Sequence, residues 1–216
     1  MEDIIQKSTN SVGLVKMAEF AAGNIDAIFA QKAIPTVNDW KGLKVRTTGV
    51  LPTLTVKLMG GSPLTIATTE LSDAISKGTV DAIQTSRYYG LFLGLADVSK
   101  FVSNWSVQSS FGGTVIINKK AWNTLPSDMQ VALMKVGAEM TREISVGEQA
   151  MYQYSATALK LSGIKVIQPD ATEIDKARQL AKPVIDRWLT LAGPQGKDVL
   201  NIAADYASGA KIMLGK

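Results

Sequence analysis

The sequence predicts an α/β fold on three observations. Short β-branched runs alternate with amphipathic helical stretches between residues 42 and 86, one helical pattern runs from about residue 126 to 162, and glycines punctuate the changeovers. With 216 residues and 46% hydrophobic content, the chain can bury a sizeable core as one large or two small domains.

Leu14, Val15, Ala18, Ala21 and Ala22 recur at helical spacing before Gly23-Asn24, which predicts a helix over 12–22. Residues 25–30 read as a short strand, and Val37 to Trp40 as a turn into the stretch DWKGLKVRTTG, residues 39–49. There LKVRT has strand character, and alternation puts Leu43 and Val45 on one face with Lys44 and Arg46 on the other. VLPTLTVKLMG, residues 50–60, carries both β-branched and helical signals. A helix is preferred, with Pro52 in the first turn, where its missing amide costs little, and Gly60-Gly61 closing it. SPLTIA predicts a strand. TTELSDAISKG predicts a helix capped by Thr68 or Thr69, with Leu71, Ala74 and Ile75 facing inward and Gly78 ending it. VDAIQTS gives another short strand, residues 88–95 a short helix, residues 98–102 an extended lead, and VQSSFGGTVIINKKAW the longest strand signal.

From Leu125-Pro126 one helical pattern continues to Gly163, through Gly137 and Gly147, each costing about 1 kcal/mol relative to alanine. At about 1.5 Å per residue such a helix exceeds the diameter of a small domain, so it is expected to bridge two lobes or to bend. IKVIQP then reads as a strand, and IDKARQLAKPVIDRWLTLAG as a final helix kinked by Pro183.

Cysteine and histidine are both absent, which removes disulfides, thiolate nucleophiles, imidazole bases and Cys/His metal sites together. Neither a Walker sequence nor GxGxxG is present. No catalytic residue, metal ligand or cofactor is therefore assigned. The 23 basic and 19 acidic residues give +4, and the basic ones are scattered singly, which argues against a nucleic-acid partner. No run reaches the roughly 18 apolar residues of a membrane span. The opening MEDIIQKSTNSVG lacks the basic-then-apolar order of a signal peptide, so an exported protein would need its signal outside this sequence.

One constellation survives these exclusions. Arg46 ends one strand, and Thr85-Ser86-Arg87-Tyr88-Tyr89 ends another. In a parallel α/β sheet, ligands collect at the carboxyl ends of strands. Arginine offers a rigid fork to a carboxylate, Thr85 and Ser86 short hydroxyl partners, and Tyr88 an amphipathic wall. The competing reading of Arg46 is a surface ion pair.

Three blocks carry a resemblance: AIPTVNDWKGLKVR (33–46), GGSPLTIATTELSDAISKGTVDAIQTS (60–86) and VIINKKAWNTLPSDMQ (115–130). In order and spacing they resemble the DctP-type solute-binding proteins of tripartite ATP-independent periplasmic (TRAP) transporters. The resemblance implies a periplasmic-binding-protein-like (type II) architecture, here in an incomplete two-lobe form with a long connecting helix. Residues 1–23 would be a helical remnant of lobe one, 24–110 lobe two, 111–150 a returning segment of lobe one, and 151–216 the end of the long helix and the closure of lobe two. It also implies binding without chemistry: a periplasmic receptor for a small organic acid, which it delivers to integral-membrane transporter subunits. By resemblance, Arg46 forms a salt bridge with the ligand carboxylate, a ligand-contacting position falls near Thr85, and Thr68 stands where some members carry an aromatic. Ser86 and Tyr88 complete the expected site. The alternative is a truncated α/β module without ligand binding that self-associates or serves protein interaction, with self-association through an uncovered lobe-one segment around TVIIN and residues 129–140.

Overall fold

Strands and helices follow the sequence pattern over most of the chain in the computed structural model, which describes residues 2–106 and 110–213. The first half contains α1 (Glu2–Ser11), β1 (Leu14–Asn24), β2 (Ala27–Ala30), β3 (Lys44–Arg46), α2 (Val50–Leu58), β4 (Ser62–Leu64), α3 (Leu71–Ser76) and β5 (Ala82–Thr85). Next come α4 (Arg87–Phe92), α5 (Leu95–Val98), β6 (Phe101–Asn104), β7 (Ser110–Asn118), α6 (Lys119–Asn123) and α7 (Ser127–Leu161). The chain continues through β8 (Lys165–Ile167), α8 (Ala171–Leu180), α9 (Lys182–Ala192) and α10 (Gly196–Met213).

Two expectations are corrected. The helix expected over 12–22 is the strand β1, which pairs with β7. The N-terminal helix is instead α1, and the turn after it passes through Gly13 at φ 76°. Small alanines gave residues 14–22 a helical spacing, but long-range strand pairing outweighs that weak local preference. The helix expected to finish near Gly193 is two helices, α8 and α9, followed by α10. Pro183 is the second residue of α9, where a missing amide needs no partner. Gly193, at φ 70°, ends α9, and Pro194 opens the turn into α10.

The chain divides into two compact units. The first takes the described residues of Met1–Glu19, Thr114–Glu139 and Ile185–Lys216. In it α7 approaches the β1 backbone so closely that a Cβ at Gly137 would lie 2.0 Å from the Met17 carbonyl oxygen. The interior glycine of α7 is thus a packing requirement, and α7 runs unbroken for 35 residues, through the division at Glu139 and Met140.

The second unit, Phe20–Gly113 with Met140–Val184, is built on a six-stranded sheet ordered β4-β3-β5-β2-β6-β8. Its pairs are parallel except around β2, which runs antiparallel to both β5 and β6. Each face carries its own core. Ile28, Ala30, Val45 and Ala82 cover one face with Trp40 and Trp105, whose rings meet edge to face at 5.6 Å. Ala27, Phe29, Ile83 and Val102 cover the other with Leu71, Ile75, Leu95 and Leu159.

Candidate ligand-binding site

The register decides which side chains share a face. Arg46 pairs with Ile83, and Ala27 pairs with Thr85. Ile83 and Ala27 belong to the Phe29 core, so Arg46 and Thr85 project on that same side. Because β2 runs backwards, its amino end lies beside the carboxyl end of β5. Asp26, just before β2, therefore joins Arg46, Thr85 and Ser86 at one end of the sheet.

Arg46 is 5% exposed. Its Nε donates to the Ile66 carbonyl at 3.2 Å and its terminal NH2 group to Thr68 Oγ1 at 3.3 Å. Both acceptors are neutral, and no carboxylate among the described residues pairs with it. Burial lowers its pKa below the ordinary arginine value, and the nearby Tyr89 phenol offsets part of that shift. The guanidinium stays protonated across the physiological range, since arginine does not deprotonate in proteins. A buried cation held by neutral groups has unused capacity for an anion.

Among the other expected site residues, Thr68 contacts Arg46 directly and Thr85, 7% exposed, shares its sheet face. Ser86 caps α4, its Oγ accepting the Tyr89 amide at 3.3 Å. Tyr88 is turned to Glu148 on α7, and burial, followed by that carboxylate, raises its pKa. Tyr89 lies near enough to Arg46 for its phenol to act on the guanidinium, and its ring stacks on Phe92 with centroids 6.1 Å apart. Sequence reasoning passed over Tyr89, because two adjacent tyrosines differ in orientation by about 100° on a helix whose seating is set elsewhere. It also missed the role of Arg87, which donates from Nε and NH2 to Asp26 Oδ2, each at 2.8 Å. The only hint was an acid directly preceding a wholly apolar strand. Two surface hollows of about 350 and 320 Å³ lie elsewhere, one against Val37 and Glu173 and one against Ser99 and Lys165, and neither includes Arg46.

The mixed sheet with helices on both faces, and a buried arginine at one strand end bonded to Thr68, places this chain in the α/β class. Residues 1–190 match the family model of the bacterial extracellular solute-binding proteins, family 7 (DctP), and the chain belongs to that family. An extracytoplasmic solute receptor of Bordetella pertussis binding pyroglutamic acid superposes with a TM-score of 0.82 at 26% identity, over 91% of this chain and 64% of that one. A TRAP periplasmic solute-binding protein of Desulfovibrio salexigens with bound orotic acid gives 0.82 at 20% identity, over 94% and 66%. One from Sulfitobacter sp. NAS-14.1 with bound β-D-galacturonate gives 0.80 at 21% identity, over 93% and 66%. The chain thus spans about two thirds of the length of these relatives, and the fold is that of the periplasmic-binding-protein-like (type II) class.

Proposed function

We propose that this chain carries the carboxylate-receiving part of a periplasmic solute receptor that captures a small organic acid for a TRAP-type transporter and turns over no substrate. The observation that carries the reading is the Arg46 guanidinium, buried at the carboxyl end of β3 with neutral hydrogen-bond partners. Thr68 bonds to it, Thr85 shares its sheet face and Tyr89 lies nearby, groups suited to a carboxylate and the polar body behind it. The ligands named for the three relatives are ring-bearing acids with one carboxylate each, in keeping with a single anchor. Integral-membrane subunits are the proposed partners.

Calorimetry against a panel of small carboxylates, including pyroglutamate, orotate and galacturonate, tests the reading. Arg46→Ala should weaken the bound acid by about 30-fold or more, the loss expected when one partner of a buried charge pair is truncated. Unchanged affinity in a folded R46A protein would remove the anchor and the reading with it. A second reading, self-association without ligand binding, draws on exposed apolar residues early in α7, among them Val131 at 69% and Val136 at 51%. Light scattering across a dilution series separates the two.

A further inference from the structure

Two arginines stand at the ligand end of the sheet, and their surroundings differ. Arg46 meets neutral acceptors. Arg87 places two donors on Asp26 Oδ2, and the side chains of this pair are 11% and 3% exposed. Its guanidinium carbon also lies 4.0 Å from the centroid of the Tyr152 ring, so an aromatic face covers the cation. Asp26 is fixed in turn, its carbonyl accepting the Trp105 amide at 2.9 Å. In the strand order β3-β5-β2, Asp26 lies two strands from Arg46 and, continuing the β2–β5 register, opposite Ser86, three residues beyond the Arg46 partner Ile83, so the two backbones are about 14 Å apart at ordinary strand dimensions. An uncommitted arginine there could meet the second carboxylate of a short diacid held on Arg46.

We propose that Asp26 neutralises Arg87, leaving this end of the sheet with one cationic anchor and setting a preference for ligands with one carboxylate over two. The inference rests on the reading of Arg46 as the carboxylate anchor. A ligand carboxylate could recruit Arg87 only by displacing Asp26, and that would strand a buried anion. Without displacement, the second carboxylate of a diacid would be taken from water with no free cation to meet it. Arg87 is accordingly a positioning residue: it anchors the first turn of α4, which carries Tyr89, to the sheet and to α7 through Tyr152.

The test is calorimetry at fixed ionic strength on the full chain, with pyroglutamate and orotate as one-carboxylate probes and succinate and malate as two-carboxylate probes. The wild type should favour the first pair. Asp26→Asn frees Arg87 and should move the ratio of affinities at least tenfold toward the diacids, while the neutral pair D26N/R87Q should return the ratio to the wild-type value. A merely structural role for the ion pair would weaken both classes together and leave the ratio alone. Where binding is lost in R46A but the ratio is unchanged in folded D26N, or where the wild type already prefers diacids, this inference fails and the Arg46 reading stands. If D26N does not fold, Arg87→Gln decides: an Asp26 carboxylate without its counter-ion should move the ratio further toward the one-carboxylate probes, and an unchanged ratio, or loss of those probes as complete as in R46A, overturns the proposal. Equal behaviour of wild type and R46A toward all four acids overturns the Arg46 reading itself.

Discussion

Gly90 seats α4 on the sheet, and replacing it with alanine perturbs the site without touching a ligand-facing group. A Cβ at position 90 would lie 2.2 and 2.4 Å from Cε2 and Cζ of Phe29. Carbon atoms in contact normally sit about 3.5–4.0 Å apart, so the overlap exceeds about 1 Å. Phe29 is fully buried among Ile83, Val102 and Leu159, and a close-packed core gives the ring no void to enter. Gly90→Ala gains about 1 kcal/mol of helix propensity but incurs an overpacking cost of about 1–3 kcal/mol or more. Confinement of Phe29 places the cost at the upper end, for a net loss of about 1–2 kcal/mol. At about 2–4 °C per kcal/mol this lowers Tm by about 2–8 °C. Where the clash lifts α4, Tyr89 moves with it, and carboxylate affinity should fall about tenfold, equivalent to about 1.4 kcal/mol. Thermal unfolding and calorimetry measure both effects. Adding Phe29→Leu vacates ring volume, so the double variant should be less destabilised than the sum of the single variants. A G90A protein as stable as wild type with unchanged affinity, or strictly additive variants, would refute the reasoning.

The two interior glycines of α7 should respond in opposite directions. A Cβ at Gly137 would meet the Met17 carbonyl at 2.0 Å, a backbone atom with little freedom to step aside, so Gly137→Ala should cost about 3 kcal/mol or more in denaturant unfolding. At Gly147 a Cβ meets nothing within 4 Å, and Gly147→Ala should stabilise by about 0.5–1 kcal/mol in the same assay. Glu173 governs part of the acid limb. Lys176 first, and the Val37 amide second, hold its carboxyl below the ordinary glutamate range. Its folded pKa is therefore below its unfolded one, so the stabilisation is present above the unfolded value and disappears as pH falls below about 4. Glu173→Gln should flatten the plot of Tm against pH in that window, and an unaltered acid limb would show that the carboxylate contributes nothing there.

Elements whose signals are local were legible in the sequence. The helix α2 carries Pro52 in its first turn, and Gly60 follows it at φ 90°. The helix α3 ends at Gly78, at φ 71°, and α7 falls within a residue of its expected limits. The strand β1 was illegible because its defining partner, β7, begins almost ninety residues later, and nothing in LVKMAEFAAGN announces that pairing over helical spacing. The helix α10 was missed for a different reason: Gly193-Pro194 reads as a terminus, although proline is tolerated at the start of a following helical turn.

The site divides along the same line. Arg46 was singled out in the sequence as a cation ending an apolar strand, with a surface ion pair as the competing reading, and in the fold its partners among the described residues are neutral. Arg87 stands equally close to a strand end, yet its partner is 61 residues away and depends on strand direction. Were β2 parallel to its neighbours, residue 26 would lie at the opposite end of the sheet and Arg87 would lack this counter-ion. The reversal of one four-residue strand thus separates two otherwise similar arginines, one committed to an internal carboxylate and one left with neutral partners. Local pattern cannot encode that difference, because it arises from topology and not from the identity of either arginine.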